Sequence, residues 1–122
     1  MMDARRWVAL WFRGAALYGA VALGLSVVAQ AASGEARLEP LAFAFTALAF
    51  QIVFWIIGGD PVRYRPIMLA GVAEKLAFGL PALWLAARGV APVAAVPFAL
   101  IDLVLGAGFL LAWRATPSLP RP

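Results

Sequence analysis

Glu74, Lys75 and Asp102 are the side chains of this 122-residue sequence that packing alone explains least well. Each stands inside a long apolar run. A charge at the centre of a hydrocarbon layer costs an inserting helix about 2.5–3.5 kcal/mol. Residues kept there either neutralise one another inside a bundle or take part in function. Two carboxylates near one ammonium permit a structural ion network, or a polar pocket for a small molecule, a lipid head, a quinone or a proton. They also permit acid–base work on a lipid-phase substrate, with Glu74 or Asp102 as the proton carrier and Lys75 as its electrostatic partner. No nucleophile–base spacing, metal cluster or glycine-rich phosphate loop accompanies them. No catalytic set, metal site or cofactor is therefore expected.

Depth decides which side chains can meet. A helix rises about 1.5 Å per residue. Counted from Pro66, Glu74 and Lys75 lie about 12–14 Å along their helix, and Asp102 lies about 14 Å beyond Val93. Gln51 and Tyr18 reach similar depths from Leu41 and Trp7, so both are candidates for a polar pocket. Arg13 lies about 9 Å from Trp7, within reach of Glu74 or of the interface by snorkelling. Adjacent helical residues point about 100° apart, so Glu74 and Lys75 should address different neighbours. The expected network pairs Lys75 with Asp102 and Glu74 with Arg13. Small residues flank the first pair: Gly71 and Gly79 around Lys75, Ala99 and Gly106 around Asp102. Such spacings let two helices approach closely. Ala16, Ala20 and Gly24 form a comparable stripe on the first helix.

The elements that carry these residues are read from hydropathy. The chain is 65% apolar and 13% charged, with mean hydropathy +0.92, far from soluble composition. Residues 14–32 and 41–59 hold no charge; residues 67–87 hold only Glu74 and Lys75, and residues 90–113 only Asp102. Each window matches the roughly 20 residues that cross a bilayer core. Spans are expected at about residues 7–31, 41–58, 66–87 and 91–113, in one integral membrane domain covering residues 1–122. No ten-residue in–out alternation marks barrel strands. The expected fold is an all-α transmembrane four-helix bundle.

Arginine placement orients the bundle. Arg5, Arg6, Arg63, Arg65, Arg114 and Arg121 fall at one side, whereas Arg37, offset by Glu35 and Glu39, and Arg88 fall at the other. The positive-inside rule then puts both termini and the second connector in the cytoplasm. Trp7, Trp11, Trp55, Tyr64, Trp84 and Trp113 sit near span ends, as an aromatic belt requires. A signal peptide is the rival reading of the N-terminus, with Ala29-Gln30-Ala31 as a cleavage pattern. Trp11 and Arg13 break the layout that such a peptide needs.

The chain contains no cysteine and no histidine, which excludes disulfides, thiol nucleophiles and the usual zinc, haem and iron–sulfur ligation. A formal charge of +4, carried by dispersed arginines, does not make a nucleic-acid surface. Arg63, Tyr64 and Arg65 in the second connector suit lipid headgroups and their phosphates, although a topological anchor is the more ordinary explanation of them.

The run Asp60-Pro61-Val62-Arg63-Tyr64-Arg65-Pro66, followed by Gly71, Glu74-Lys75 and later Asp102-Leu103, resembles small, uncharacterised four-span bacterial membrane proteins loosely grouped with the DoxX-like families. The resemblance covers Asp60 to Trp113; the first two spans match in character only. It implies a compact bundle in the bacterial inner membrane and carries no established chemistry. Two functions remain in view. One is a non-catalytic accessory or hydrophobic-ligand-binding protein, whose partners are membrane lipids, a lipid-phase ligand or another membrane protein. The other is a proton-coupled small-molecule transporter, which would need a homo-oligomer because four helices are too few to enclose an alternating-access path.

Overall fold

Backbone groups in hydrocarbon find no water to bond, so an apolar chain of this length must satisfy them within helices. The computed structural model describes residues 4–119 and contains four long helices and no strands among them: α1 (Ala4–Ser33), α2 (Leu38–Gly59), α3 (Met68–Ala87) and α4 (Ala95–Ala115). A 3₁₀ turn at Arg65–Ile67 leads into α3. All four helices are long and apolar enough to cross a membrane, so the chain is a multi-pass membrane protein. At 1.5 Å per residue, α2, α3 and α4 are about 30–33 Å long and α1 about 45 Å. The excess in α1 carries it beyond the hydrocarbon at its ends.

The outer surface has the character lipid demands. Leu10, Leu17, Val21, Leu25 and Val28 recur along one side of α1, each more than half exposed. In water such a face would be an aggregation site, whereas in hydrocarbon it costs nothing.

Local chemistry sets the helix ends. Gly89 adopts φ +73° after α3, and the Val90 and Gly89 amides donate to the Leu85 and Ala86 carbonyls. These are the two bonds of a Schellman cap, which needs a residue free to enter the left-handed region. Pro92 then delays the next helix, and α4 starts at Ala95, four residues later than expected. Asp60 closes α2 and opens the second connector by accepting from the Arg63 and Tyr64 amides. Helix α3 runs through Pro81 to Ala87, leaving the Ala77 carbonyl without its usual donor.

The helices form two hairpins, α1 with α2 and α3 with α4. Close approach in the second relies on missing side chains. A Cβ at Gly106 would stand 2.9 Å from Lys75 Cβ, and one at Gly79 would stand 2.8 Å from the Leu103 side chain. In the first hairpin Gly19 receives the Gln51 amide and Gly58 the Arg13 stem. The anticipated α1 stripe is corrected: Ala16 is buried, but Ala20 is exposed and Gly24 has nothing within 4 Å of a Cβ placed on it.

The hairpins meet firmly at one end only. Phe12 of α1 stacks on Phe109 of α4 with centroids 4.2 Å apart, and Phe54 of α2 leans against Phe109 at 4.8 Å. Val8, Ile57, Met68 and Ala112 complete this buried cluster. The Trp11 indole lies across Gly108 and donates to the Leu105 carbonyl at 3.1 Å. Arg65 Nε donates to the Trp113 and Thr116 carbonyls at 3.0 and 2.7 Å, with its guanidinium over the Trp113 ring. The start of α1, the end of α2, the start of α3 and the end of α4 thus form a closed end. Towards the opposite end the hairpins part.

Candidate functional site

The parting leaves a central cavity of about 370 Å³ whose lining comes from all four helices. Its floor is polar. Lys75 is 3% exposed, and its stem is held in place where Gly106 brings the α4 backbone against it. The ammonium Nζ lies 3.4 Å from Glu74 Oε2 and 3.5 Å from Asp102 Oδ1, and 5.3 Å from the Phe54 ring centroid beneath. Lys75 therefore bridges a carboxylate on its own helix and one on the next. Tyr18 and Gln51 line the same cavity from α1 and α2, while Phe43, Phe78 and Phe98 form its apolar walls.

Gln51 is buried, at 4% exposure, and its amide orientation is determined by a neighbour. The group facing the Ala47 carbonyl at 2.7 Å must be the NH₂, because a carbonyl only accepts. The other end, Oε1, is buried without a partner. Glu74 Oε2 likewise accepts no hydrogen bond, although the ammonium is 3.4 Å away. A buried acceptor with no hydrogen bond costs about 1–3 kcal/mol, which applies in full to Gln51 Oε1 and is offset at Glu74 Oε2 by the ion pair.

Two side grooves extend the cavity towards the lipid. One, between α2 and α3, shares Phe43, Ala47, Glu74 and Phe78 with it. The other, between α1 and α4, shares Tyr18, Ala22, Ser26 and Phe98. The polar floor is reached from the membrane as well as from the open end.

Arg13 stands outside this group, which corrects the expected pairing with Glu74. Its stem lies over Gly58, its guanidinium caps the Trp55 ring at 4.4 Å, and Nε is buried without a hydrogen-bond partner. Among the described residues no ion pair joins Arg13 to Glu74. Two physical reasons account for this. The four-carbon stem of Lys75 can curl back to the carboxylate one residue away, which an argument from helical angle alone overlooks. The side-chain-free strip at Gly58-Gly59 also offers Arg13 a groove on its own hairpin partner.

The second connector is likewise divided. Arg63 is exposed and lies near the Tyr64 ring, with 5.5 Å from guanidinium to centroid. Tyr64 is half-buried and packs on the aromatic core. Arg65 closes the end of α4 through its two carbonyl bonds, so its primary work is structural. Arg63 is the cation of this loop that remains turned outward.

The aromatic walls were not recognisable from sequence, because Phe43, Phe78 and Phe98 read like any lipid-facing phenylalanine. Only the register of Phe43 and Phe78 across the α2–α3 gap, with rings 5.7 Å apart, makes them a wall. Among the described residues no group of three His, Cys, Asp or Glu could hold a metal ion. Comparisons with protein-family models, with curated proteins and with solved structures find no match to this chain.

Proposed function

We propose that this chain is a non-catalytic membrane bundle that holds an amphiphilic molecule drawn from the lipid phase, with its polar head on the Glu74–Lys75–Asp102 floor. One observation carries the reading: the buried charges open into a cavity rather than being sealed by packing. An apolar cavity with a few convergent polar groups, near 300–1,000 Å³, is the usual form of a small-molecule site. The cavity stands at the small end of that range.

In this reading the closed, arginine-rich end faces the cytoplasm with both termini, and the membrane is the bacterial inner membrane, as the likeness to DoxX-like proteins implies. Arg63 and Tyr64 meet lipid headgroups there. Most of the described residues lie in the four helices, whose apolar outer faces offer a partner protein or second copy a surface to meet.

The test is mass spectrometry of the protein extracted with its native lipids. One defined amphiphile retained per chain supports the proposal, and a chain that emerges bare refutes it. A second reading, a proton-coupled transporter working as a homo-oligomer, draws on the surplus carboxylate and the one-sided cavity. Reconstituted vesicles showing substrate-linked proton flux would favour it, and a strictly monomeric particle without flux would remove it.

A further inference from the structure

We infer that the head of the molecule taken into this cavity is a cation carrying N–H donors, a primary or secondary ammonium on an apolar chain. The inference rests on the ligand-binding reading above and adds the sign of the ligand's charge. Three independent observations agree on it.

The first is charge balance. The cavity lining includes two carboxylates, Glu74 and Asp102, one ammonium, Lys75, and no arginine. With all three ionised the floor carries one net negative charge. Arg13 is withdrawn over Trp55, and among the described residues no ion pair joins it to either carboxylate. In a low-dielectric surrounding the surplus carboxylate is neutralised by one further positive charge, either a proton or a cation brought in by the ligand.

Hydrogen-bond polarity is the second. Among the described residues, two cavity-lining side chains hold a buried oxygen that accepts no hydrogen bond: Gln51 Oε1, lodged beside Gly19, and Glu74 Oε2, whose one partner is the Lys75 ammonium at 3.4 Å. Both are acceptors. A carboxylate or phosphate head brings only further acceptors, whereas an ammonium brings the N–H donors that both side chains lack, together with the charge that neutralises the floor.

The walls are the third. Tyr18, Phe43, Phe78 and Phe98 surround the space above the floor, and aromatic faces attract cations through their quadrupole. Lys75 already exploits the Phe54 ring in this way. Taking about 30 Å³ per water-sized group, the volume accommodates roughly a dozen non-hydrogen atoms. A chain of about ten carbons with one nitrogen fills it, and longer chains leave through the side grooves.

The experiment offers the full-length protein, in micelles of a neutral detergent, an equimolar mixture of decylammonium, decanol and decanoate. Native mass spectrometry then counts the adducts. The tails are equal, so the head decides. The amine is expected as a single adduct, at least ten-fold over the alcohol and the carboxylate. In Glu74→Gln and in Asp102→Asn the preference should fall below about three-fold, while alcohol binding holds. Glu74→Gln alters only one rim of the site and keeps the Lys75–Asp102 pair, so it remains informative if Asp102→Asn folds poorly. Equal retention of alcohol and amine overturns the cation and leaves the ligand-binding proposal standing. Preferential retention of decanoate overturns it too. Retention of none of the three overturns both.

Discussion

Lys75→Met isolates the energetic role of the polar floor. Methionine fills about the same volume, keeps the stem against Gly106 and removes only the ammonium. Two carboxylates that had stood 3.4 and 3.5 Å from that nitrogen then face one another across an apolar gap. Removing one member of a buried ion pair typically costs about 3–5 kcal/mol, because the stranded charge loses its partner but not its burial. That corresponds to roughly two to three and a half orders of magnitude in the folded-to-unfolded ratio, a large part of the roughly 5–15 kcal/mol a domain of this size possesses. Unfolding in a mixed-micelle titration, followed by tryptophan fluorescence, measures it, since Trp11 and Trp113 pack on the closed-end core. The triple variant Lys75→Met, Glu74→Gln, Asp102→Asn should regain most of the loss, since no unpaired charge remains. If Lys75→Met unfolds within 1 kcal/mol of the parent, the ammonium is not what holds the carboxylates, and the account of the floor fails.

Other consequences test the frame around the site. Phe54→Ala removes a ring in contact with both Phe12 and Phe109 and should cost about 3–5 kcal/mol in the same titration. A loss under 1 kcal/mol would mean the closed end is not the main joint between hairpins. Gly106→Ala puts a methyl 2.9 Å from Lys75 Cβ, where neither backbone nor stem root can yield, and should lower thermal stability and amine binding together. Unchanged binding would show that the α3–α4 distance does not set the floor. Arg65→Leu strips two carbonyls at the end of α4 of their donor and should cost about 1.5–3 kcal/mol, with amine binding retained. Because the chain has no cysteine, Ser33→Cys and Ala115→Cys make clean topology probes. They should label from opposite sides of the membrane, with Ala115→Cys reached only from the cytoplasm; labelling of both from one side would invalidate the fold.

What could be read in advance depended on which coordinate of a residue the sequence reports. Hydropathy windows report position along a span, so four helices were legible to within a few residues, with α4 displaced by the turn at Pro92. Counting residues also placed Lys75 and Asp102 at matching depth, and the glycines and alanine beside them marked where two backbones touch. Azimuth was less accessible. Counted depths bring Arg13 and Glu74 near enough to suggest a pair, but the glycine pair at Gly58-Gly59 seats the arginine at the closed end instead. The cavity had no signature at all. It arises because the large buried rings, Phe12, Phe54 and Phe109, gather at one end of the helices, a property of the ensemble of contacts rather than of any one residue. Aromatic side chains at the other end then become walls without any change in their local sequence.

The placement of the three central charges also bears on how the chain enters the membrane. Glu74, Lys75 and Asp102 all belong to α3 and α4, joined by the short stretch after Arg88. The later hairpin thus holds both partners of each ion pair, and its ions can find each other while it leaves the translocation machinery. Within residues 7–31 and 41–58 the earlier hairpin carries a single charge, Arg13, near its entry point, and needs no counter-ion from sequence still unmade. Each half can therefore cross the hydrocarbon as a unit, and their joining at the aromatic end becomes a later, separate event.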